Sequence, residues 1–199
     1  MRPPQSVAVL IPLLIAGACS SDSDVALSSD PGGAPAATPV SEGVAVADAE
    51  RRDIVLPGAR VFPEGVAIDP ATGEVYVGST DDGTVFRAGL NDSEAEVFLP
   101  GGEDDRTAVT GLAVDGDRLF VAGRDTGRIF AYDTTSGELI AGYDTSDGER
   151  TLINDVVVAG DAAYVTDSFR PVLLRLDLTD GIGEPEPWLD LDDTDIVYG

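Results

Sequence analysis

Three side chains with oxygen donors stand at the same place in three similar segments of this chain: Glu64, Thr110 and Asn154. Each opens a short apolar segment (EGVAIDP, TGLAVDG and NDVVVAG), and the spacings are 46 and 44 residues. If these segments are equivalent strands around one axis, their first side chains converge on a single point. Oxygen donors suit a hard cation such as Ca²⁺, which takes about six to eight of them. Glu64 and Asn154 are therefore candidate metal ligands, and Thr110, at the equivalent position, is a candidate substrate contact.

The composition narrows the chemistry that these residues can perform. The 199 residues include no His, and Cys19 is the only cysteine. Catalysis by a Ser-His-Asp triad and zinc or copper sites built from His and Cys are therefore excluded. The 12 basic residues are all Arg and stand against 37 acidic residues, for a net charge of -25. This field disfavours nucleic acid and anionic membrane surfaces as partners, and it attracts cations.

An internal repeat accounts for the spacing. The segments EVYVGSTDDGTVFRA, RLFVAGRDTGRIFAY and AAYVTDSFRPVLLRL start at residues 74, 118 and 162, and they place Tyr76, Phe120 and Tyr164 at intervals of 44 residues. Each follows one of the apolar segments above and precedes a further strand candidate: AEVFLPG, ELIAGYD or EPWLDL. Gly, Asp and Asn mark the turns, and no helical periodicity is present. Each repeat therefore predicts four short strands.

A four-stranded unit repeated at this period predicts an all-β fold, a β-propeller. Its three blades should span about residues 60–102, 103–148 and 149–195 of a domain that covers 51–199. Propellers close with roughly four to eight blades, so three blades predict an incomplete ring, a fragment of a six-bladed propeller.

Two segments near the blades have weaker patterns. Ile54 to Gly58 resembles the fourth strand Val97 to Gly101 and suggests a strand that completes another blade. Asp167 and Ser168 end a strand, and their simplest interpretation is a turn. The alternative is a pair that contacts the site residues and holds them in place without contacting the ligand.

The N-terminal region predicts export. Residues 1–18 combine Arg2 with an apolar stretch, VAVLIPLLIAGA, that has the length of a signal-peptide core. The following Cys19 completes a run, IAGAC, that resembles the lipobox of bacterial lipoproteins, which implies a lipid on Cys19 and a location at the cell envelope. An ordinary secretory signal with an incidental cysteine is the alternative. Residues 19–50 are rich in Ser, Asp, Ala and Pro and predict a disordered tether. Contact with membrane is thus expected only through the lipid.

The segments FPEGVAIDPATGEVYVGS and INDVVVAGDAAYVTDS resemble the gluconolactonase/regucalcin family of six-bladed propellers, which is related to NHL-type repeats. The resemblance covers about residues 60–199. It implies that Glu64 binds a divalent metal, most simply Ca²⁺, and that Asn154 faces metal and substrate. The family's remaining metal ligands, an Asn and an Asp, open later blades, which this sequence does not contain.

Two functions follow as hypotheses. The first is a metal-dependent hydrolase at the cell envelope that acts on a small sugar lactone or a related ester, with no catalytic residue assigned. The second is a non-catalytic, NHL-type binding propeller at the cell surface. The fold cannot decide between them, because propellers host both kinds of function.

Overall fold

The structure is a computed structural model that describes residues 6–7 and 52–191. Most of the predicted signal segment, Cys19 and the predicted tether lie outside the described residues. The described part is built almost entirely of β-strands: β1 (Ser6–Val7), β2 (Ile54–Val55), β3 (Pro63–Ile68), β4 (Glu74–Ser79), β5 (Val85–Gly89), β6 (Glu96–Leu99), β7 (Leu112–Asp115), β8 (Arg118–Ala122), β9 (Arg128–Asp133), β10 (Leu139–Asp144), β11 (Ile153–Ala159), β12 (Ala162–Asp167), β13 (Val172–Asp177) and β14 (Glu186–Asp190). One 3-10 turn, Glu103–Asp105, precedes β7.

Twelve of these strands form three antiparallel, four-stranded sheets in chain order: β3-β4-β5-β6, β7-β8-β9-β10 and β11-β12-β13-β14. We refer to them as the first, second and third blades. The prediction of an all-β propeller with three four-stranded blades is confirmed. The strand candidates recognised from the repeat are the strands observed, including the outer strands β6, β10 and β14.

The turns within the blades follow the repeat as well. Gly83 and Gly127 occupy the same turn, between the second and third strands of their blades, with φ of 82° and 69°. Glycine adopts positive φ without the steric penalty that a Cβ atom brings. The same turn in the third blade contains Phe169, Arg170 and Pro171 in place of the glycine.

The blades pack face to face through two apolar layers. The first layer joins the first blade to the second and is formed by Ala67, Tyr76, Val85, Leu99, Val109, Leu112, Leu119, Val121, Phe130 and Tyr132. The second joins the second blade to the third and is formed by Phe120, Ala122, Ile129, Ala131, Ile153, Val156, Ala163, Val165, Leu174, Leu176 and Leu178. Because side chains alternate between the faces of a strand, the second blade contributes to both layers.

The inner strands β3, β7 and β11 lie side by side, since β7 contacts both β3 and β11. This arrangement positions the candidate site residues, which stand at or just before the start of these strands.

The segment beginning at Ile54 differs from expectation. Its strand, β2, pairs with β1, so that Ser6 lies opposite Val55 and Val7 opposite Ile54. Val55 also donates to the carbonyl oxygen of Ser93 at 3.0 Å and accepts from the amide of Ala95 at 2.9 Å. The backbone groups of Val55 are therefore satisfied beside the first blade, and the segment does not complete a described four-stranded sheet.

Within the described residues, no helix has the length and apolar character needed to cross a membrane.

Candidate functional site

All three predicted site residues lie at a β-bulge near the start of an inner strand. In the first blade, Glu64 and Gly65 fall between the pairs Pro63–Ser79 and Val66–Val77, so two residues face one on the neighbouring strand. In the third blade, Asn154 and Asp155 fall between the pairs Ile153–Asp167 and Val156–Val165. A bulge breaks the regular pairing of a strand and re-aims its side chains.

The second blade has the same feature in its hydrogen bonds. The Thr110 amide donates to the carbonyl oxygen of Ala122 at 3.0 Å, and the Ala122 amide donates to the carbonyl oxygen of Gly111 at 2.9 Å. Thr110 and Gly111 thus both face Ala122. The irregularity is repeated in all three blades at the position that the sequence selects.

The three bulges are neighbours in space. A methyl group built on Gly65 would lie 2.3 Å from the carbonyl oxygen of Thr110. A methyl group built on Gly111 would lie 2.8 Å from the carbonyl oxygen of Asn154 and 2.6 Å from the Cα atom of Asp155. The backbones of adjacent blades therefore pass so closely that only glycine fits between them. Glu64, Thr110 and Asn154 thus belong to one continuous row along the inner edge of the blades.

The side chains of Glu64 and Asn154 have oxygen atoms in this row that bind no other described residue. Glu64 is exposed and Asn154 is half-buried. Neither side chain hydrogen-bonds or ion-pairs with another residue among those that the structure describes. Their oxygens are therefore open to a cation or a substrate.

Thr110 is engaged within the fold. Its side chain is buried, with 5% of the residue exposed, and its hydroxyl donates to the carbonyl oxygen of Ile153 at 2.8 Å. This bond joins the second blade to the third at the inner edge. The hydroxyl proton is used by the backbone, so Thr110 could meet a substrate only as a hydrogen-bond acceptor.

The oxygen atoms of these residues are of the kind that a hard cation binds, but there are too few of them to fill its coordination shell. Carboxylate and amide oxygens are ligands that Ca²⁺ accepts, but its shell needs about six to eight oxygens. Across the described ranges, no group of three or more His, Cys, Asp or Glu side chains is arranged to hold a metal ion. Glu64 and Asn154 could form one side of a shell, with water or further ligands on the other.

A second cluster of polar groups lies directly behind Asn154. Asp167 ends β12, and its carboxylate accepts hydrogen bonds from the backbone amides of Leu152 at 3.0 Å and Phe169 at 2.8 Å. It also accepts from Arg170 Nε at 2.6 Å and from the hydroxyl of Thr151. The bond to Phe169 closes the turn that the sequence predicts. The bonds to Thr151 and Leu152 hold the segment that leads into Asn154.

The cluster keeps Asp167 ionised although its side chain is fully buried. Burial alone would raise the pKa of Asp167, but the hydrogen bonds from Thr151, the backbone and Arg170 outweigh it, and the pKa lies below its ordinary value. Arg170 in turn donates to the carbonyl oxygen of Thr145 at 2.8 Å. The turn of the third blade is thereby anchored to the second.

An arginine is repeated near the site residues, although the site predicted from the sequence does not include it. Arg60, Arg106 and Arg150 each stand four residues before a site position. Arg106 is fully buried between the first two blades, where it donates to the carbonyl oxygens of Gly83 at 2.8 Å and Pro100 at 2.9 Å. The signal was present in the similar segments RTAVT and RTLIN at 106–110 and 150–154.

A cavity of about 660 Å³ lies where the outer part of the second blade meets the third. Five carboxyl-bearing residues line it together with one basic residue: Asp144, Asp147, Glu149, Glu184, Asp190 and Arg170. Arg170 is already paired with Asp167. This lining disfavours an anionic ligand.

Comparisons with known proteins bear on the fold alone. No family model matches the chain, and no curated protein matches it. The structure resembles the β-propeller domain of Cps50 (Swd1) from Myceliophteria thermophila, with 14% identity, a TM-score of 0.48, and coverage of 62% of this chain and 38% of that chain.

Two computationally designed proteins also resemble it. For Ika8 the identity is 16% and the TM-score 0.50, with coverage of 70% of this chain and 39% of that one. For Ika4 the identity is 13% and the TM-score 0.50, with coverage of 67% and 77%. The chain thus spans less than two thirds of the length of the first two structures.

Proposed function

We propose that this chain contributes the inner edge of a metal-assisted hydrolase site, acting at the cell envelope on a small sugar lactone or a related ester. The observation that carries the proposal is the row of bulges, which presents Glu64 and Asn154 with free oxygen donors at equivalent positions of two blades. The net charge of -25 favours the approach of a cation to this edge. The family resemblance at the same two residues agrees with it.

Each residue has a defined part in this proposal. When bound, a divalent cation, most simply Ca²⁺, supplies Lewis acidity that polarises a carbonyl and lowers the pKa of water. Glu64 would hold that cation with its carboxylate, and Asn154 would offer its amide to the cation or to a substrate hydroxyl. Thr110 joins the second and third blades through its bond to Ile153, and only the remaining acceptor capacity of its hydroxyl would contact a substrate. Asp167 positions the segment that bears Asn154.

Replacing Glu64 with Gln tests this proposal. We expect only a small rise in the melting temperature of the parent chain in millimolar Ca²⁺, because two protein ligands fill only part of a calcium shell. The amide of the variant has the same shape but no charge, so the variant should lose most of that rise. Hydrolysis of a model lactone should fall in parallel. Calorimetry with and without Ca²⁺, together with a pH-stat assay, measures both.

Glu138→Gln is the matched control. Glu138 is an exposed carboxylate in the turn between β9 and β10, remote from the row of bulges in sequence and fold. This variant should keep both the Ca²⁺ response and the hydrolysis. Equal behaviour of the Glu64 and Glu138 variants would remove Glu64 from the site and end the hydrolase proposal.

A binding propeller is the second candidate. The observation in its favour is that no group of three or more His, Cys, Asp or Glu side chains in the described chain is arranged to hold a metal ion, while the Thr110 proton is used between blades. A row of this kind can contact a sugar or peptide without performing chemistry. Ligand-dependent protection of the row without hydrolysis would favour this function.

The location rests on Cys19, which lies outside the described residues. We propose that the mature chain starts at Cys19 and carries a lipid on its thiol, with residues 19–50 as the tether. In bacteria, a radiolabelled fatty acid should enter the parent chain and should not enter Cys19→Ser. Equal labelling of the two, or equal release of both in soluble form, would show an ordinary secretory signal instead.

A further inference from the structure

The cavity between the second and third blades, which we name the junction cavity, combines apolar walls with an acidic rim. Its walls include the buried or half-buried residues Tyr143, Pro171, Val172, Leu174 and Pro185. Its exposed carboxyl-bearing residues are Asp144, Asp147, Glu149, Glu184 and Asp190. The volume of about 660 Å³ falls within the range of about 300–1,000 Å³ that is usual for small-molecule sites. A ligand that suits this cavity has an apolar body and a positive charge.

The preceding junction, between the first and second blades, contains a cation at the corresponding place. Arg128 is the first residue of β9. Its guanidinium group pairs with the Asp105 carboxylate at 3.3 Å and donates to the carbonyl oxygen of Asp104 at 3.4 Å. The protein thus shows how a guanidinium group binds at a junction of this repeat.

The third blade keeps the carboxylate of this arrangement but lacks the arginine. Val172 stands 44 residues after Arg128, and both residues open the third strand of their blade. Glu149 stands 44 residues after Asp105. Among the described residues, the Glu149 side chain has no hydrogen-bonding or ion-pairing partner. The junction cavity therefore has the acceptor of the earlier ion pair without its donor.

A second acidic residue is retained across the strands. Arg128 pairs with Asp144 on the outer strand of the second blade, and Val172 pairs with Asp190 on the outer strand of the third. Hydrogen bonds from Ser146 lower the pKa of Asp144, and the nearby charge of Arg128 adds to this effect. A cation placed beside Val172 would meet Asp190 in the same way.

The volume of the junction cavity has a cause in the sequence as well. Leu174 and Gly142, which line it, stand 44 residues after Phe130 and Phe98. At the preceding junction Phe130 is fully buried and Phe98 packs against the same apolar layer. An aliphatic side chain and a glycine thus stand in place of two aromatic rings. Together with the change from Arg128 to Val172, they leave a space that the earlier junction fills.

The basic residue in the lining does not neutralise the cavity. Arg170 is paired through its Nε atom with the Asp167 carboxylate at 2.6 Å, and it donates to the carbonyl oxygen of Thr145 at 2.8 Å. The negative field also acts on the wall, because burial and, after it, the charge of Glu184 raise the pKa of Tyr143. The uncompensated charge of the cavity is therefore negative.

We propose that the junction cavity binds a guanidinium group on an aliphatic stem, carried by a free guanidino compound or by an arginine side chain of a peptide. Glu149 would pair with this group as Asp105 pairs with Arg128, while Val172 and Leu174 would contact the stem. Guanidinium is planar and weakly hydrated, and its fork of donors matches a carboxylate. The proposal does not depend on the row of bulges or on hydrolysis.

Butylguanidine and butylurea test the proposal as a pair of probes, because they share a stem and a planar head but only the guanidine is charged at neutral pH. In NMR titrations of the full chain, butylguanidine should shift the amide signals of Thr145, Glu149 and Val172 and should bind several-fold more tightly than butylurea. Equal binding of the two probes, no binding of either, or shifts spread over acidic turns elsewhere would overturn the proposal. N-acetylarginine methylamide distinguishes the sources, since tighter binding than butylguanidine identifies a peptide arginine and weaker binding a free guanidino compound.

Glu149→Gln should lower the affinity for butylguanidine several-fold, and its exposed position leaves the fold intact. Asp161→Asn is the matched control. It removes the same charge from an exposed residue between β11 and β12, at the end of the third blade away from Val172, and should bind the probe as the parent chain does. Val172→Arg supplies the guanidinium group from the chain itself and should abolish binding. Equal affinities of the Glu149 and Asp161 variants, or unchanged binding by Val172→Arg, would refute the assignment.

Discussion

Replacing Asp167 with Asn should destabilise this protein by about 3–5 kcal/mol, the range found when one partner of a buried ion pair is removed. The amide nitrogen cannot accept the bonds that Arg170 and Thr151 donate, and the Arg170 charge is left without its partner. The remaining amide oxygen can still accept from the Leu152 amide, so the loss falls on the ion pair and on the Thr151 hydroxyl. Urea denaturation at neutral pH measures the change.

Asp177→Asn is the control for this substitution. Asp177 ends β13 of the same blade and accepts from the Thr179 amide at 2.9 Å, but it is exposed. Solvent replaces the lost contacts there, so only a small change is expected. Similar losses for the two variants would mean that burial of Asp167 has no energetic consequence.

The destabilisation by Asp167→Asn should depend on pH. The hydrogen bonds place the folded-state pKa of Asp167 below its value in the unfolded chain, despite the opposing effect of burial. Its contribution is therefore fully present above the unfolded pKa of about 3.9 and is lost as pH falls through the folded pKa. The parent and the variant should converge in stability at acid pH. A difference that stays constant from pH 7 downwards would contradict the ionised pair.

The sequence could predict the strands because their signals are local. Alternating apolar residues with Gly and Asp turns mark strands, and the 44-residue period relates Tyr76, Phe120 and Tyr164 to one another. The blades follow from pairing neighbouring strands in chain order. The segment at Ile54 has the same local pattern but no neighbour in chain order, and its pairing with Ser6 and Val7 is a contact that no local pattern specifies.

The site could be predicted only in part, for a related reason. Repeat position alone selected Glu64, Thr110 and Asn154, but it could not show that the Thr110 hydroxyl binds Ile153 of the next blade. Arg106 and Arg150 show the same limit, because they stand in similar sequence segments but have different surroundings in the fold. Arg106 is buried between blades, whereas Arg150 is exposed and lies over the Phe169 ring at 3.7 Å. Contacts supplied by neighbouring blades decide such outcomes, and these contacts depend on the assembled fold.

The largest effect at the inner edge is expected from Gly65→Ala. The added methyl group would lie 2.3 Å from the carbonyl oxygen of Thr110 and 3.2 Å from the backbone carbon of Gly111. Both are backbone atoms between two packed blades, so neither can move aside as a flexible side chain would. Overpacking of this kind costs about 1–3 kcal/mol and sometimes more, and we expect the upper end of that range in urea denaturation.

The Gly142→Ala variant separates this effect from a general intolerance of alanine. Gly142 lies in β10, and its added methyl would meet the nearest atom, of Phe130, at an ordinary 3.7 Å. That variant should be neutral, or more stable by up to about 1 kcal/mol, because alanine restricts the unfolded chain more than glycine does. Equal stability of the two alanine variants would show that the inner strands lie further apart than they do in this structure. Glu64 and Asn154 would then no longer belong to one row, since that row exists only because adjacent backbones meet at Gly65 and Gly111.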